Sequence, residues 1–154
     1  MGVTTLTRGE VLENYGVELT RFAASLVGPS DAQDVVSDAL VRSMWSDGWE
    51  GVDNQRAYLY RAVADQARMN HRSASRRRQR ESSAARPVST PSGERYVDVW
   101  EALDHLNVIE RGVIFLTYWE DLSEFEVAAR LEMSDRTVRR HLGRARMKLG
   151  RLLE

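Results

Sequence analysis

The chain of 154 residues contains no cysteine. This absence excludes disulfide bonds, thiol nucleophiles and zinc sites with cysteine ligands, and it fits a protein of the cytoplasm. No hydrophobic run approaches the ~20 residues that a transmembrane helix needs, and the amino terminus lacks the basic and apolar segments of a secretory signal. We therefore expect a cytoplasmic protein without membrane insertion.

Histidine is also scarce, and the three that occur, His71, His105 and His141, stand far apart. None has a second metal ligand at i+4 or an acidic partner in a recognisable motif, and no glycine-rich phosphate loop is present. The sequence therefore predicts no enzyme activity, no metal site and no cofactor.

Proline is rare, and two of the three prolines lie within residues 81–93, together with five Ser or Thr. This stretch has no apolar periodicity, so it cannot bury a face, and we interpret it as a flexible Pro/Ser linker. It separates residues 1–80 from residues 94–154, and each part is near the lower size limit for an independent core.

Charge is unevenly distributed although the net charge is only −1. Residues 56–80 hold eight arginines and one acid, and residues 134–154 hold seven basic and two acidic side chains. Residues 1–55 and 94–133 carry net charges of −6 and −7. Two basic segments that alternate with acidic ones favour a bipartite binder of a polyanion such as DNA.

Helical signals occur in both parts of the chain. Thr7 and Glu10 have the spacing of a capping box, and Gly28 with the proline after it ends the first apolar pattern. Ser30 and Gln33 have the same spacing and predict a second capping box. No segment alternates with period two, so we predict an all-α fold of two small helical domains.

A third helix is predicted from about Gln55 into the arginine cluster, because apolar residues recur there at helical spacing. In the helix before it, the apolar face consists of Ala32, Val35, Val36, Ala39, Leu40 and Met44.

Residues 123–146 have the pattern of a helix-turn-helix. One side of each helix is apolar: Val127, Ala128 and Leu131 in the first, Val138 and Leu142 in the second. Ser134 suits the N-cap of the second helix. Glu132 occupies the turn position that is usually Gly, where a left-handed backbone costs other residues ~1 kcal/mol.

The outward side of the second motif helix is basic, and we predict that it contacts a major groove and its flanking phosphates. The predicted contact residues are Arg136, Thr137, Arg139, Arg140 and Arg144. His141 is expected on the same side, as a phosphate contact at most.

Residues 102–106, 110–116 and 118–123, followed by this motif, resemble region 4 of bacterial extracytoplasmic-function sigma factors. The resemblance implies binding to the promoter −35 element and contact with the β flap of RNA polymerase. Asn107 stands where the family usually has Pro.

The first part of the chain resembles region 2 of the same family. Residues 22–28 are similar to its opening helix, and residues 32–42 to the segment that docks on the β′ clamp helices. The resemblance implies polymerase contacts by Gln33, Asp34, Asp38 and Arg42. Asp34 and Asp38 lie four residues apart, on one helical face, and would form an acidic patch for a basic partner.

Residues 57–68 and the arginines that follow resemble the family's −10 recognition segment. Holding an opened strand requires cations for its phosphates and aromatic faces for unstacked bases. The implied contacts are Tyr58, Tyr60, Arg61, Asp65, Arg68, Arg72, Arg76 and Arg77. Asp65 replaces the Asn that is general in the family, and a carboxylate there would repel phosphate.

The resemblance predicts a sigma factor that directs core RNA polymerase to promoters, with residues 1–80 as region 2, 81–93 as linker and 94–154 as region 4. An anti-sigma factor is a candidate further partner. Two alternatives remain open: a helix-turn-helix repressor or activator without sigma activity, and an adaptor that binds polymerase without reading DNA. Only a sigma factor would make core polymerase start at a promoter in vitro.

Overall fold

The computed structural model describes residues 6–81 and 99–152, all of them in helices or short connections. The elements are α1 (Arg8–Val27), α2 (Pro29–Met44), a 3-10 turn (Trp49–Gly51), α3 (Gln55–Glu81), α4 (Val99–Asp104), α5 (Val108–Ile114), a π-helical turn (Phe115–Trp119), α6 (Glu124–Leu131) and α7 (Asp135–Leu152). The predicted all-α class is confirmed. Glu81 is the last residue of α3, and residues 82–93 of the predicted linker lie outside the described residues.

No helix in the described ranges combines the length and hydropathy needed to cross a bilayer.

The ends of α1 and α2 confirm one predicted capping box and contradict the other. The Thr7 hydroxyl accepts from the Glu10 amide at 3.4 Å, and the Thr7 amide donates to Glu10 Oε2 at 2.7 Å. The box at Ser30 is wrong: α2 begins at Pro29, and its N-cap Gly28 makes no side-chain cap bond. Proline favours the first helical position because it lacks an N–H and has a fixed φ, so Ser30 falls inside the first turn.

In the second part, helices α5 and α6 begin with capping boxes. Asn107 Oδ1 accepts from the Glu110 amide at 2.9 Å, and Glu110 Oε1 accepts from the Asn107 amide at 3.0 Å. Asn107, which stands where the family usually has Pro, is therefore the N-cap of α5. Lys148 Nζ lies 2.6 Å from the same Oε1 of the buried Glu110, which joins α7 to α5. Ser123 forms a third capping box at the start of α6.

Helices α1, α2 and α3 pack together to form the core of the first part. The predicted apolar side of α2 is buried at Ala32, Val35, Val36, Ala39 and Leu40, whereas Met44 is only partly buried. The predicted start of α3 at Gln55 is confirmed.

The two parts of the chain share one hydrophobic core. Phe22 of α1 lies 4.8 Å from Tyr60 and 6.4 Å from Phe115, measured between ring centroids. Helix α5 approaches α1 closely at Gly112, where an added Cβ would lie 3.1 Å from Phe22 Cε2. A larger side chain at Gly112 would displace the Phe22 ring.

Arg111 holds α5 against the end of α1. The side chain is buried, and its Nη1 donates to the Leu26 carbonyl at 2.7 Å while Nε donates to the Leu106 carbonyl at 3.2 Å. The last carbonyls of a helix have no partner within the helix, so a guanidinium there satisfies one and stabilises the negative end of the helix dipole. Helix α1 packs directly against α5, and α3 packs against both α5 and α6.

Candidate nucleic-acid interface

Helices α6 and α7 are joined by a three-residue turn, residues 132–134. Glu132 has φ 50° and ψ 49°, the left-handed conformation expected at this position. Ser134 Oγ accepts from the Thr137 amide at 3.1 Å, so the predicted N-cap is present. The predicted inward residues are all buried: Val127, Ala128, Leu131, Val138 and Leu142.

The outer side of α7 is basic and open. Arg136, Arg139, Arg140 and Arg144 are exposed, and their spacing of three, four and eight residues places them on one side of the helix. Arg139 Nε lies 3.3 Å from Glu124 Oε2 at the start of α6.

Thr137 differs from the four arginines because its side chain points partly inward. The hydroxyl lies 2.8 Å from Ser134 Oγ, and the residue is only partly exposed. Thr137 therefore stabilises the N-cap of α7, in addition to its predicted contact with the DNA major groove.

Helix α3 presents a second charged strip. Arg61, Asp65 and Arg68 are exposed, and their spacing of four and three residues puts them on one side. Arg68 Nη1 lies 3.9 Å from Asp65 Oδ1, so the unusual carboxylate pairs with a neighbouring cation. The predicted contacts Arg72, Arg76 and Arg77 belong to α3, but their side chains lie outside the described residues.

The two tyrosines of the predicted −10 segment pack inward in this arrangement. Tyr60 is only 2% exposed, and Tyr58 is partly buried with its ring edge-on to the buried Trp49, 5.9 Å between centroids. Neither ring is available here as a platform for an unstacked base.

Tyr60 belongs to a group of four polar residues that we call the Glu18 cluster: Glu18, Arg56, Tyr60 and Arg130. Tyr60 donates its hydroxyl proton to Glu18 Oε1 at 3.0 Å, and Arg56 reaches both oxygens of Glu18 at 2.6 and 3.0 Å. Arg130 of α6 donates to the Tyr60 hydroxyl at 3.4 Å, with its guanidinium 5.2 Å from the ring centroid. Burial, with the Glu18 charge and hydrogen bond, raises the pKa of Tyr60 to about 12.

The exposed side of α2 carries the four predicted polymerase contacts. Gln33, Asp34, Asp38 and Arg42 are all exposed. Arg42 Nη1 lies 3.7 Å from the sulfur of Met69, which connects this side of α2 to α3.

Val41 and Trp45 extend the same side of α2, although the sequence interpretation gave them no role at a polymerase surface. Val41 is 54% exposed and Trp45 is 66% exposed. The signal was present, since positions 34, 38, 41 and 45 follow the three-and-four spacing of one helical stripe. An acidic strip that continues into two apolar side chains suits a partner surface that has both charged and apolar groups.

His141 does not face outward as expected. The ring is partly buried, and its Nδ1 is enclosed without a hydrogen-bond partner among the described residues. Burial lowers the pKa of His141, and the positive charges of Arg140, Arg144 and Arg68 lower it further, while Glu110 raises it.

We expect the fold to lose stability below neutral pH because of His141. In the unfolded chain, His141 has a pKa near 6.5, and in the folded protein the pKa of His141 is lower. The unfolded state therefore binds more protons, and stability falls as the pH drops from about 6.5 through the folded pKa. The loss is small, because the ring is partly exposed and solvent screens its charge. Urea unfolding of the wild type and His141→Gln at pH 7.5 and 5.5 measures it.

His105→Gln is the matched control, because His105 is exposed. An equal loss of stability between the two pH values in the wild type and in His141→Gln would contradict this assignment.

The geometry of α6 and α7 defines the class of the protein. A left-handed turn between the short helix α6 and the long helix α7, which carries an outward row of arginines, is a helix-turn-helix of the DNA-binding type. A second charged strip on α3 distinguishes the chain from a binder that has this motif alone.

Comparisons with known proteins agree with this class. Residues 96–149 match the family model "Sigma-70, region 4". The chain is 32% identical to the RNA polymerase sigma-E factor of Streptomyces antibioticus over 164 residues, which covers 97% of this chain and 89% of that protein. It is 33% identical to the RNA polymerase sigma-E factor of Streptomyces avermitilis, with the same coverage.

Solved structures share the fold. The Bartonella quintana sigma factor RpoE, crystallised with the anti-sigma factor NepR, superposes with a TM-score of 0.62 at 24% identity over 94% of this chain and 95% of that one. CnrH in complex with the cytosolic domain of CnrY gives a TM-score of 0.62 at 29% identity over 95% and 86%. The chain belongs to the RNA polymerase sigma factors, and within them to the extracytoplasmic-function type.

Proposed function

We propose that this sigma factor binds core RNA polymerase through the exposed side of α2 and contacts promoter DNA through α3 and α7. Residues 1–80 would act as region 2, residues 81–93 as the linker and residues 94–154 as region 4. The observation that carries the proposal is the separation of charge: exposed Asp34 and Asp38 on α2, exposed Arg61 and Arg68 on α3, and an outward row of arginines on α7.

Helix α7 is proposed to read the −35 duplex. Its 18 residues span about 27 Å, long enough for the amino-terminal half to lie in a major groove while the rest passes the backbone. Arg136 and Arg140 are positioned for base edges or phosphates, because guanidinium groups bind guanine and phosphate with two parallel hydrogen bonds. Thr137 at the cap is close enough to the helix start for a phosphate contact.

Helix α3 is proposed to hold the opened −10 strand. Arg61 and Arg68 supply cations for single-stranded phosphates, and the predicted contacts Arg72, Arg76 and Arg77 follow them in the sequence. Asp65 lowers the local positive charge, and as an acceptor it favours a base with an exposed amino group such as cytosine. The Tyr58 and Tyr60 rings could stack on an unpaired base only after the side chains or helices that cover them move.

Helix α2 is proposed to dock on the β′ clamp helices. Asp34 and Asp38 offer charge to a basic partner, and Val41 and Trp45 add apolar area that is buried on binding.

The β flap is proposed to contact the aromatic edge of the second part. Tyr118 and Trp119 are 54% and 70% exposed, and they border an apolar groove of about 470 Å³ that includes Ile114, Phe115 and Leu149. A π-helical turn presents this pair, and such turns are frequent at functional sites.

No step of the reaction is assigned to the chain, because the polymerase performs the chemistry. We propose that it acts in the cytoplasm, where its polymerase and promoters are. An anti-sigma factor is proposed as a further partner, since the related CnrH was solved bound to a protein domain.

Footprinting with and without core polymerase tests the proposal. The free chain should protect promoter DNA weakly, because its net charge is −1 and each basic surface acts alone. Core enzyme holds both surfaces at once and makes the second contact intramolecular, so it should give strong protection and permanganate-reactive thymines near −10. Tight protection by the free chain that core polymerase does not improve would favour a repressor or activator.

A further inference from the structure

We propose that two polar contacts, one on each side of the apolar stripe of α7, fix the rotation of this helix and so set which bases its arginines reach. The contacts are Lys148 with Glu110 of α5, and Arg146 with Tyr118 of the π-helical turn. Glu110 and Tyr118 are positioning residues in this account, because they act through α7. The inference rests on the proposed reading of the −35 duplex by α7.

The apolar contacts of α7 define its rotation only loosely. Its buried residues are Val138, Leu142 and Ala145, and Ala145 is the last of them, although α7 continues to Leu152. Apolar side chains repack around a shifted neighbour at modest cost, because the hydrophobic effect has no preferred direction. Hydrogen bonds tolerate only a narrow range of distance and angle, so polar contacts fix an orientation more strictly.

The two polar contacts lie on opposite sides of this apolar stripe. At about 100° per residue, Val138, Leu142 and Ala145 span about 60° of the helix circumference. Arg146 lies about 70° from the middle of the stripe in one direction, and Lys148 lies about 90° from it in the other. Rotation of α7 in either direction therefore stretches one of the two contacts.

The Lys148 contact ends on a carboxylate that is fully enclosed. Glu110 is 0% exposed, and its Oε1 lies 2.6 Å from Lys148 Nζ. Oε1 also accepts from the Asn107 amide, and Oε2 has no hydrogen-bond partner among the described residues. A buried ion pair adds little stability compared with apolar side chains of similar size. The orientation that the pair gives to α7 therefore explains it better than stability does.

Lys148 is the single lysine among the 22 basic residues of the chain. An ammonium group is a compact charge, whereas a guanidinium group brings five N–H donors in a rigid plane. The smaller group suits a contact with one oxygen of an enclosed carboxylate. The one departure of the chain from arginine thus falls where α7 meets the buried carboxylate of α5.

The contact on the other side of the stripe is made by a hydroxyl group. Arg146 Nε donates to the Tyr118 hydroxyl at 2.7 Å, and the guanidinium carbon lies 5.7 Å from the centroid of the Tyr118 ring. The π-helical turn that carries Tyr118 follows α5 directly. Both contacts therefore tie α7 to one continuous segment of the chain.

A small rotation of α7 is enough to change base reading. A guanidinium group about 6 Å from the helix axis moves by about 1 Å when the helix turns by about 10°. A hydrogen bond of about 2.9 Å then passes the limit of about 3.5 Å. Bidentate base contacts by Arg136 and Arg140 would be lost in this way. Attraction to phosphates falls off slowly with distance, so general affinity for DNA should change little.

Two variants remove the contacts one at a time. Glu110→Gln keeps the size of the side chain and an oxygen for the Asn107 amide, but it removes the charge. Tyr118→Phe keeps the ring and removes only the hydroxyl, at a position that is exposed in the native chain, so the core does not depend on it. The matched controls are Glu101→Gln, at an exposed carboxylate of α4, and Tyr15→Phe on α1.

The first readout is base discrimination by the free chain at pH 7.5, where no β flap is present. It is the ratio of the affinity for a duplex with the −35 element of a promoter that the chain uses to the affinity for duplexes with single base changes. A bidentate base contact contributes about five- to 150-fold to this ratio. We expect the ratio to fall about three- to tenfold in Glu110→Gln and about two- to fourfold in Tyr118→Phe.

General affinity is measured on a duplex of unrelated sequence. It should stay within about twofold of the control values in both variants. Loss of a carboxylate by itself raises affinity for DNA, so weaker binding of Glu110→Gln to the −35 duplex cannot result from the change in charge.

The second readout is the orientation of α7. Spin labels at Gly143→Cys and Glu101→Cys report it, because the native chain has no cysteine and a Cβ added at Gly143 meets no neighbouring atom within 4 Å. We expect a narrow distance distribution in the labelled parent and a broader one when Glu110→Gln or Tyr118→Phe is added. Circular dichroism checks that each protein is folded at the temperature of the measurement.

An unchanged ratio in both folded variants would overturn the proposal, as would an equal loss of affinity for every duplex. A lower ratio with an unchanged distance distribution would also overturn it, because the residues would then not act through the orientation of α7. Failure of the −35 assignment looks different, since Arg140→Ala would then leave the ratio unchanged as well. If only the positioning role fails, Arg140→Ala lowers the ratio and the two variants do not.

Discussion

Asp34→Arg combined with Asp38→Arg should reduce affinity for core polymerase about 100-fold without unfolding the protein. Both carboxylates are exposed on α2, so the core of the first part does not depend on them. Like charges placed opposite each other in an interface cost several kcal/mol, and about 3 kcal/mol corresponds to a 100-fold change in affinity. Fluorescence anisotropy of labelled protein titrated with core enzyme measures it, with circular dichroism as the check on folding.

The control for this experiment carries the same charge change elsewhere. Glu13→Arg with Asp47→Arg reverses two exposed acids that lie outside the α2 side. It should bind core polymerase as the wild type does. A folded Asp34/Asp38 double variant with wild-type affinity would show that α2 is not the docking side.

Replacement of single arginines on α7 should give the second-largest effect. Arg140→Ala is expected to weaken binding to the −35 duplex by ~1–3 kcal/mol if the side chain reads a base edge. Arg139→Ala should cost less, because Arg139 must first leave Glu124, 3.3 Å away. Binding of the polymerase holoenzyme to duplexes with single base changes in the −35 element measures both.

The pattern of losses separates base reading from phosphate contact. Loss of a base contact lowers affinity only for the preferred sequence. Loss of a phosphate contact lowers affinity equally for all sequences, and it reduces the slope of log affinity against log salt concentration by about one. Arg151→Ala, on the last turn of α7, should change neither. If Arg139→Ala and Arg140→Ala both initiate normally at every target promoter, α7 does not read the −35 element.

Local patterns predicted much of the fold. The apolar side of α2, the start of α3 and the helix-turn-helix followed from spacing of three and four residues, since these signals depend only on neighbours along the helix. The box at Ser30 failed because Pro29 next to it sets the helix start more strongly than a serine hydroxyl. The preference of proline for the first helical position therefore outweighed the capping-box pattern.

Contacts between distant segments were not predictable in the same way. Tyr60 is buried because α1 and α6 cover α3, and no sequence pattern near residue 60 predicts a contact with residue 130. Glu132 was recognisable as an unusual residue, but its Oε2 lies 3.7 Å from Arg61 Nη1 only because of how the two parts pack. His141 turned inward for the same reason, because α5 packs against its helix.

Reconstituted transcription tests the central claim most directly. Core RNA polymerase is incubated with the chain on genomic DNA of the source bacterium, and the 5′ ends of the transcripts are mapped. We predict new start sites that share a −35 and a −10 element, appear only when core enzyme and chain are both present, and are lost with the Asp34/Asp38 double variant. The same start sites with core enzyme alone, or none when the folded chain is added, would contradict the assignment as a sigma factor.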